Sequence, residues 1–280
     1  MNRRPGFTLV ELLVSIVILG VLGLALTKLY ISQVRSYDLQ SQLRGARFVS
    51  RMGINAAVSD LRMVEATGGA VSATATQVVV RVPYALGIVC LNTAVQTTLA
   101  LFPVDSVQYA TAGFSGYAWR DSLGNYTYVE SGTSVASDLA SVCTTAGITV
   151  VTNGKVVAIK PPLPAALPAL TAVGTPVLLF QRLTYEFKAS TALPGRTALW
   201  RTVNATSQTD ELVAPFDTSA KFRFFVLSSD TAQAAVPSPI TNLRGLELDL
   251  NSQSERAAEG TSSPKTAKSV TAVFFNNRLK

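Results

Sequence analysis

The stretch that decides the fold is MNRRPGFTLVELLVSIVILGVLGLALTKLY, residues 1–30. It opens with a short basic leader that ends at Gly6, and an apolar run follows from Phe7 to Leu26. A helix rises about 1.5 Å per residue, so a run of this length matches the roughly 30 Å hydrocarbon core of a bilayer. The sequence therefore predicts one membrane-spanning helix in this stretch.

Charge and polarity distinguish this segment from an ordinary anchor. Arg3 and Arg4, with no acidic residue beside them, predict a cytoplasmic N-terminus and a domain outside the cytoplasm. Glu11 lies inside the apolar run, where a carboxylate costs on the order of 2.5–3.5 kcal/mol at the helix centre and less near its end. Gly6 precedes the run, whereas a secretory signal has its small-residue cleavage site after it. A carboxylic acid inside a membrane-spanning segment indicates a functional residue.

The run GFTLVE at residues 6–11, followed by the apolar helix, resembles the N-terminus of type IV pilins and pseudopilins. The resemblance implies that a prepilin peptidase cuts between Gly6 and Phe7 and that the new Phe7 amine is N-methylated. It also implies that Glu11 pairs with the Phe7 amine of a neighbouring subunit. The implied partners are the peptidase, other major and minor pilins, the inner-membrane assembly platform and membrane lipid.

The amino-acid composition excludes some classes of enzyme and metal site. The chain has 280 residues and a net charge of +7, and loss of the two leader arginines would give 7 − 2 = +5. It contains no histidine, so a histidine-based nucleophile triad is excluded and a metal would need Asp, Glu or Cys ligands. We therefore expect a structural protein without catalytic residues, metal or cofactor.

The membrane helix is expected to continue as an amphipathic spine. No proline occurs between Pro5 and Pro83, so one helix can run from residue 7 to about residue 66, with the span at about 7–30, before Gly68 and Gly69 end it. Apolar residues at helical spacing predict a stripe that packs on a sheet. These residues are Leu39, Leu43, Ala46, Val49, Ile54, Ala57, Leu61 and Val64.

The opposite stripe of the spine is polar and basic. It carries Arg44, Arg47, Arg51, Asn55, Ser59 and Arg62. The favoured interpretation is a solvated helix face. The alternative is contact with acidic groups on neighbouring subunits, or with anionic lipid near Arg35.

Residues 67–280 read as a β-rich extracytoplasmic domain. Several short runs of β-branched and aromatic residues predict an antiparallel meander, with an insertion at about 84–160 and a proline-rich connection at 161–170. The Asn153–Gly154 pair predicts a hairpin between 148–152 and 155–159, residues 134–145 a short helix, and residues 252–268 a polar loop. The predicted fold class is α+β, a long N-terminal helix packed on an antiparallel sheet, as in pilins.

Two cysteines, Cys90 and Cys143, lie in this domain. An even count in an oxidising compartment favours a disulfide, with two buried thiols as the alternative. A bridge would close a loop of about 53 residues, for which the chain-entropy treatment gives about 4 kcal/mol.

Two other groups of residues partly match the patterns of binding sites. Asp121, Asn125 and Glu130 imitate part of a calcium loop but lack the full ligand series, so a turn is favoured. Aromatic residues near Arg120 could stack on single-stranded nucleic acid, but a protein core or interface is favoured. These residues are Tyr109, Phe114, Tyr117, Trp119, Tyr126 and Tyr128.

The second half of the domain carries a further resemblance. The runs YEF at 185–187, LWR at 199–201 and FNNRL at 275–279 resemble strands of the PilW/GspJ-type minor pilins. This likeness implies a minor pilin of a type IV pilus, in the filament or its tip or priming complex. The alternatives are a pseudopilin of a type II secretion system and a tip module that binds DNA or a surface.

Overall fold

The computed structural model describes residues 8–121, 124–130, 132–164, 172–226 and 229–275. A long helix, α1 (Leu9–Met63), leads into a domain built mainly of strands, with two short helices, α2 (Pro103–Thr111) and α3 (Ala140–Thr145). The strands in chain order are β1 (Ala70–Ala73), β2 (Gln77–Asn92), β3 (Thr97–Leu101), β4 (Gly116–Arg120), β5 (Tyr126–Glu130), β6 (Thr133–Ser137), β7 (Val156–Lys160), β8 (Pro176–Ala189), β9 (Thr197–Val203), β10 (Gln208–Phe216), β11 (Lys221–Val226), β12 (Leu243–Ala257) and β13 (Pro264–Phe274).

These strands form one continuous antiparallel sheet with the order β11–β12–β10–β9–β8–β2–β3–β7–β6. Strand β1 pairs with β2, β13 with β12, and the β4–β5 hairpin joins β8 through β4. The long strands β2 and β8 pair from Gln77 opposite Glu186 to Ile88 opposite Pro176 and form its middle. The predicted α+β class, a long helix packed on an antiparallel sheet, is confirmed.

Helix α1 has two environments along its length. Its first half is exposed, whereas its second half packs against β10, β12 and β13. The buried positions recur every three or four residues, the spacing of one helix face. They are Gln42, Ala46, Ser50, Gly53, Ala57 and Leu61. Most of these side chains are small, so the helix backbone lies close to the sheet.

Two contacts show how close that approach is. A Cβ atom added at Gly53 would lie 2.9 Å from the ring of Phe216. The Ser50 and Ser252 hydroxyl oxygens are 2.7 Å apart in a buried contact, and Ser252 Oγ donates to the Ala46 carbonyl at 2.6 Å. The serine pair satisfies buried polar groups where helix and strand meet.

The domain has two principal hydrophobic clusters. The first lies under α1 and includes Tyr185, Phe216 and Leu248. The second lies in the region of the predicted insertion and includes Tyr117 and Trp119. Strands β2 and β8 contribute to both clusters, so the two cores share one sheet.

The structure corrects the hairpin predicted at Asn153–Gly154. The turn is present, since Asn153 has a φ of 67° and the Gly154 amide donates to the Val151 carbonyl. However, β7 pairs with β3 and β6, and no strand is described at 148–152. Ile148 and Val150 pack instead beside the cysteines, which takes this segment out of the sheet.

Other elements differ from their predicted type or length. The polar stretch 252–268, expected to be a loop, supplies the end of β12 and the start of β13. Ser252 of this stretch is buried and contacts Ser50 of α1 rather than solvent. The helix predicted at 134–145 is β6 followed by α3. Pro83, expected between two runs, lies within β2, where the register shifts between Pro83 and Ala85.

Candidate functional site

The start of α1 is closed by a reciprocal capping box. The Thr8 amide donates to Glu11 Oε2 at 3.1 Å, and the Glu11 amide donates to Thr8 Oγ1 at 3.2 Å. The Thr8 hydroxyl also donates to Glu11 Oε2 at 3.2 Å. A carboxylate in the first turn also interacts favourably with the helix dipole. In the single chain, Glu11 therefore stabilises its own helix, and its side chain is exposed.

Gly6 and Phe7, the residues of the predicted cleavage site, lie outside the described residues. The apolar surface that follows them is fully described. Helix α1 is long and apolar enough to cross a membrane, and its most apolar window is 0% buried. An uncovered apolar surface of this extent indicates a lipid or protein environment. This exposed half and the Glu11 cap together form the candidate assembly segment, residues 8–30.

An acidic residue on α1 is held by two neighbouring strands. Tyr185 of β8 donates from its hydroxyl to Asp60 Oδ2, and Arg201 of β9 lies 3.9 Å from the same oxygen. Burial, followed by the nearby Asp60 carboxylate, raises the pKa of Tyr185. Tyr185 and Arg201 face each other in the β8–β9 register. The YEF and LWR runs thus contribute residues that position the helix on the sheet.

A second acidic residue fixes α1 nearer the membrane segment. The Glu259 amide donates to Asp38 Oδ2 at 2.6 Å, and Arg256 Nη2 donates to Asp38 Oδ1 at 2.7 Å. The Glu259 hydrogen bond is the largest cause of a lowered Asp38 pKa, with Gln42 and Arg256 adding to it against desolvation. Asp38 therefore joins α1 to the β12–β13 turn.

Sequence reasoning missed both Asp38 and Asp60 as contact residues. The sequence does contain a signal for Asp60. This acid directly precedes Leu61, so it needs a polar partner once the apolar stripe of α1 packs on the sheet. Asp38 had no local signal, because its partners lie more than two hundred positions away in sequence, at separations of 218 and 221.

Cys90 and Cys143 are joined by a disulfide across 53 positions of sequence. The bridge ties α3 to β2 and forms a small buried cluster with Ala100 and Val156. It lies in the second half of β2, away from the α1 packing face.

Glu130 lies between two arginines rather than in a calcium loop. Arg81 Nε donates to Glu130 Oε1 at 2.7 Å, and Arg182 Nη1 donates to Oε2 at 3.3 Å. Arg81 also donates to the Gly68 carbonyl, just after α1. Asp121 closes a turn by accepting from the Asn125 amide. No group of three or more metal-binding side chains occurs in the part of the chain that the structure describes.

The aromatic residues near Arg120 contribute mainly to a core. Tyr117 and Trp119 are buried, and Tyr109 and Phe114 pack against their cluster. The Tyr117 hydroxyl donates to the Pro161 carbonyl at 2.8 Å, and burial raises its pKa to about 12. Tyr117 and Trp119 therefore belong to the hydrophobic core and are not available for stacking on nucleic acid.

Comparison with known protein families yields one match. The prokaryotic N-terminal methylation motif matches residues 1–27. This match supports a type IV pilin-like protein that is processed by prepilin peptidase, anchored in the inner membrane and assembled with other pilins. No curated protein and no solved structure matches the chain.

Proposed function

We propose that this chain is a minor pilin of a type IV pilus, of the PilW/GspJ type, and not an enzyme. It is inserted with its N-terminus in the cytoplasm and is cut between Gly6 and Phe7. The N-methylated Phe7 amine of one subunit then pairs with Glu11 of another. The domain outside the cytoplasm joins other minor pilins in a tip or priming complex.

The observation that carries this proposal is the combination of the methylation motif with the two environments of α1. The motif covers residues 1–27. The following helix continues without a break to Met63, exposed at first and then packed on a sheet. One rigid element can therefore sit in the bilayer before assembly and among other helices afterwards, since both surroundings cover the same apolar surface.

The exposed position of Glu11 supports its proposed role. Among the described residues, the carboxylate accepts hydrogen bonds from the amide and hydroxyl of Thr8 in its own first turn. In a water-poor bundle of helices, an ammonium group within a few ångströms would interact with it far more strongly than in water. The Phe7 amine can be this ammonium group, because the proposed cleavage between Gly6 and Phe7 makes it the N-terminus.

Mass spectrometry of the mature N-terminus tests the proposal. The full-length gene is expressed in a host with and without its prepilin peptidase. We expect a chain that begins with methylated Phe7 when the peptidase is present and one that keeps residues 1–6 when it is absent. An N-terminus at Met1 in both strains, or cleavage after Leu26, would contradict the proposal. Loss of pili without loss of type II secretion in a deletion strain would separate a pilin from a pseudopilin.

A further inference from the structure

The face of α1 opposite the sheet has features that the single chain does not explain. Arg44, Arg47 and Arg51 are exposed on this face, and none of the ion pairs among the described residues includes them. Residues 39–59 contain no Asp or Glu. Like charges at four-residue spacing, such as Arg47 and Arg51, destabilise a helix. The cluster therefore costs stability in the isolated subunit.

Apolar and small residues lie next to these arginines. Phe48 is 63% exposed and Met52 is 45% exposed. Gly45 sits beside them in the helix interior, where glycine is less favourable than alanine. An added Cβ at Gly45 would meet nothing within 4 Å, so the folded chain itself does not require a glycine there. A missing side chain on an exposed helix allows another backbone to come close.

These residues, except Met52, line one groove on the helix face, which we call the arginine groove. Its volume is about 580 Å³, and its lining residues are Ser41, Arg44, Gly45, Arg47, Phe48 and Arg51. Arg47 and Arg51 also border a neighbouring groove of about 230 Å³ against β13, where Lys268 adds positive charge. That lysine is partly offset by Asp249 at 3.7 Å. Among the described residues, Arg44, Arg47 and Arg51 form no such ion pair.

We propose that the arginine groove binds an acidic amphipathic helix from a different subunit of the same filament. This inference rests on the function proposed above and specifies the partner. Apolar residues of the partner would cover Phe48 and Met52, its backbone would approach Gly45, and carboxylates on one flank would face Arg44, Arg47 and Arg51. Complementary charges across such an interface select the partner and fix the register.

Two other occupants fit the structure less well. A second copy of this chain would bring its own arginines, and its residues 39–59 offer no carboxylate. The membrane surface is too far away, because 14 residues separate Arg44 from the predicted end of the span at about residue 30, about 21 Å along a helix. Electrostatic attraction to headgroups falls off within about 8 Å at physiological salt.

The test uses the full-length chain in its native cell. A photo-reactive phenylalanine analogue, p-benzoyl-phenylalanine, replaces Phe48, and the same analogue at the exposed Val135 of β6 serves as the position control. After irradiation, the cross-linked peptide is identified by mass spectrometry. We expect a peptide from the N-terminal helix of another subunit, with Asp or Glu three or four residues apart beside the cross-linked residue.

Charge reversal makes the test specific. Arg47→Glu with Arg51→Glu should lower the Phe48 cross-link about tenfold or more, because like charges then face each other. Replacing the partner's carboxylates by lysine should restore it. The matched control, Arg62→Glu with Lys221→Glu, changes net charge equally at exposed sites outside the groove and should leave the yield within about twofold.

Several outcomes would overturn the inference. They are a cross-link to lipid or to a second copy of this chain, a partner peptide without acidic residues, no cross-link at all, or no effect of the double reversal. The state of Phe7 in the same sample separates the two proposals. Methylated Phe7 without the expected cross-link overturns only this inference, whereas an unprocessed N-terminus overturns the proposed function as well.

Discussion

At the scale of single residues, Glu11 combines two roles that mutation can separate. Its carboxylate caps the first turn of α1 together with Thr8, and in the proposed filament it also pairs with a neighbouring amine. Capping needs a side-chain acceptor at this position, and glutamine supplies one. Charge pairing needs a carboxylate. A neutral side chain of the same shape therefore removes the second role and keeps the first.

We expect Glu11→Gln to be processed normally but to be lost from filaments. Removing one partner of a buried charge pair costs about 3–5 kcal/mol, which corresponds to a reduction on the order of a hundredfold or more. The ratio of subunit in sheared pili to subunit in membranes measures this loss. Thr8→Ala is the matched control, since it weakens the cap by about 0.5–2 kcal/mol and keeps the charge. Equal loss in both variants would assign Glu11 a capping role only.

Two glycines of α1 make a second matched pair. Gly53→Val places a side chain against the buried Phe216 ring, where an added Cβ would already lie at 2.9 Å, so we expect it to destabilise the fold by about 1–3 kcal/mol. An added Cβ at Gly45 meets nothing within 4 Å, so for Gly45→Val we expect a change within about 0.5 kcal/mol. Thermal unfolding of the full-length chain in detergent compares them. A Gly53 variant as stable as the Gly45 variant would contradict the close helix–sheet packing.

At the scale of elements, the hairpin formed by β12 and β13 is joined to α1 within β12 and at its turn. Ser252 contacts Ser50 in the packed interface, and the turn of the hairpin binds Asp38 further toward the membrane segment. The amphipathic spacing of α1 predicted which half packs on a sheet, because helical periodicity is local. The extension of the hairpin through residues 252–268 could not be predicted, because Ser252 looks like a loop residue until the helix that covers it is known.

The Asp38 contact should make this hairpin turn sensitive to pH. A lowered folded pKa means that Asp38 contributes stability above its unfolded value of about 3.9, and that this contribution is lost as pH falls through the folded pKa. We expect protection of the Glu259 amide from hydrogen exchange, corrected for intrinsic rates, to fall on acidification. Asp38→Ala, which removes the acceptor, should have low protection at every pH. Unchanged protection in the Ala variant would show that the turn is held by other contacts.

At the scale of the whole molecule, the N-terminal motif predicted the long helix and the protein family that the chain resembles. The strands of the domain could be predicted only in part. A local pattern indicates β8, β9, β11 and β12, because their apolar residues alternate or cluster within a few positions. Strand β10, with Asp210 and Glu211, has no such pattern, since its polar residues find partners only in the fold, as Glu211 does with Ser190 and Thr191. The order of strands depends on pairings between distant residues, which no local pattern reveals.

Because the domain has two hydrophobic cores, we predict that one core can unfold locally while the other stays folded. The disulfide lies beside the second core, while α1 packs on the first, and β2 and β8 are the described strands that contribute to both. Replacing both cysteines by alanine removes a constraint worth about 4 kcal/mol in the chain-entropy treatment. Because the constraint closes residues 90–143, we expect the loss mainly in the elements within and next to that loop.

Hydrogen exchange of the Cys90→Ala, Cys143→Ala variant measures this distribution. Amides of α3 and β6 should lose protection by an amount approaching 4 kcal/mol, whereas amides of β12 under α1 should lose much less, since local opening need not involve the first core. Wild-type protein treated with a reductant provides a second route to the same state. An equal loss of protection in β6, α3 and β12 would instead mean that β2 and β8 couple the stability of the two cores. The two cores would then unfold as one cooperative unit.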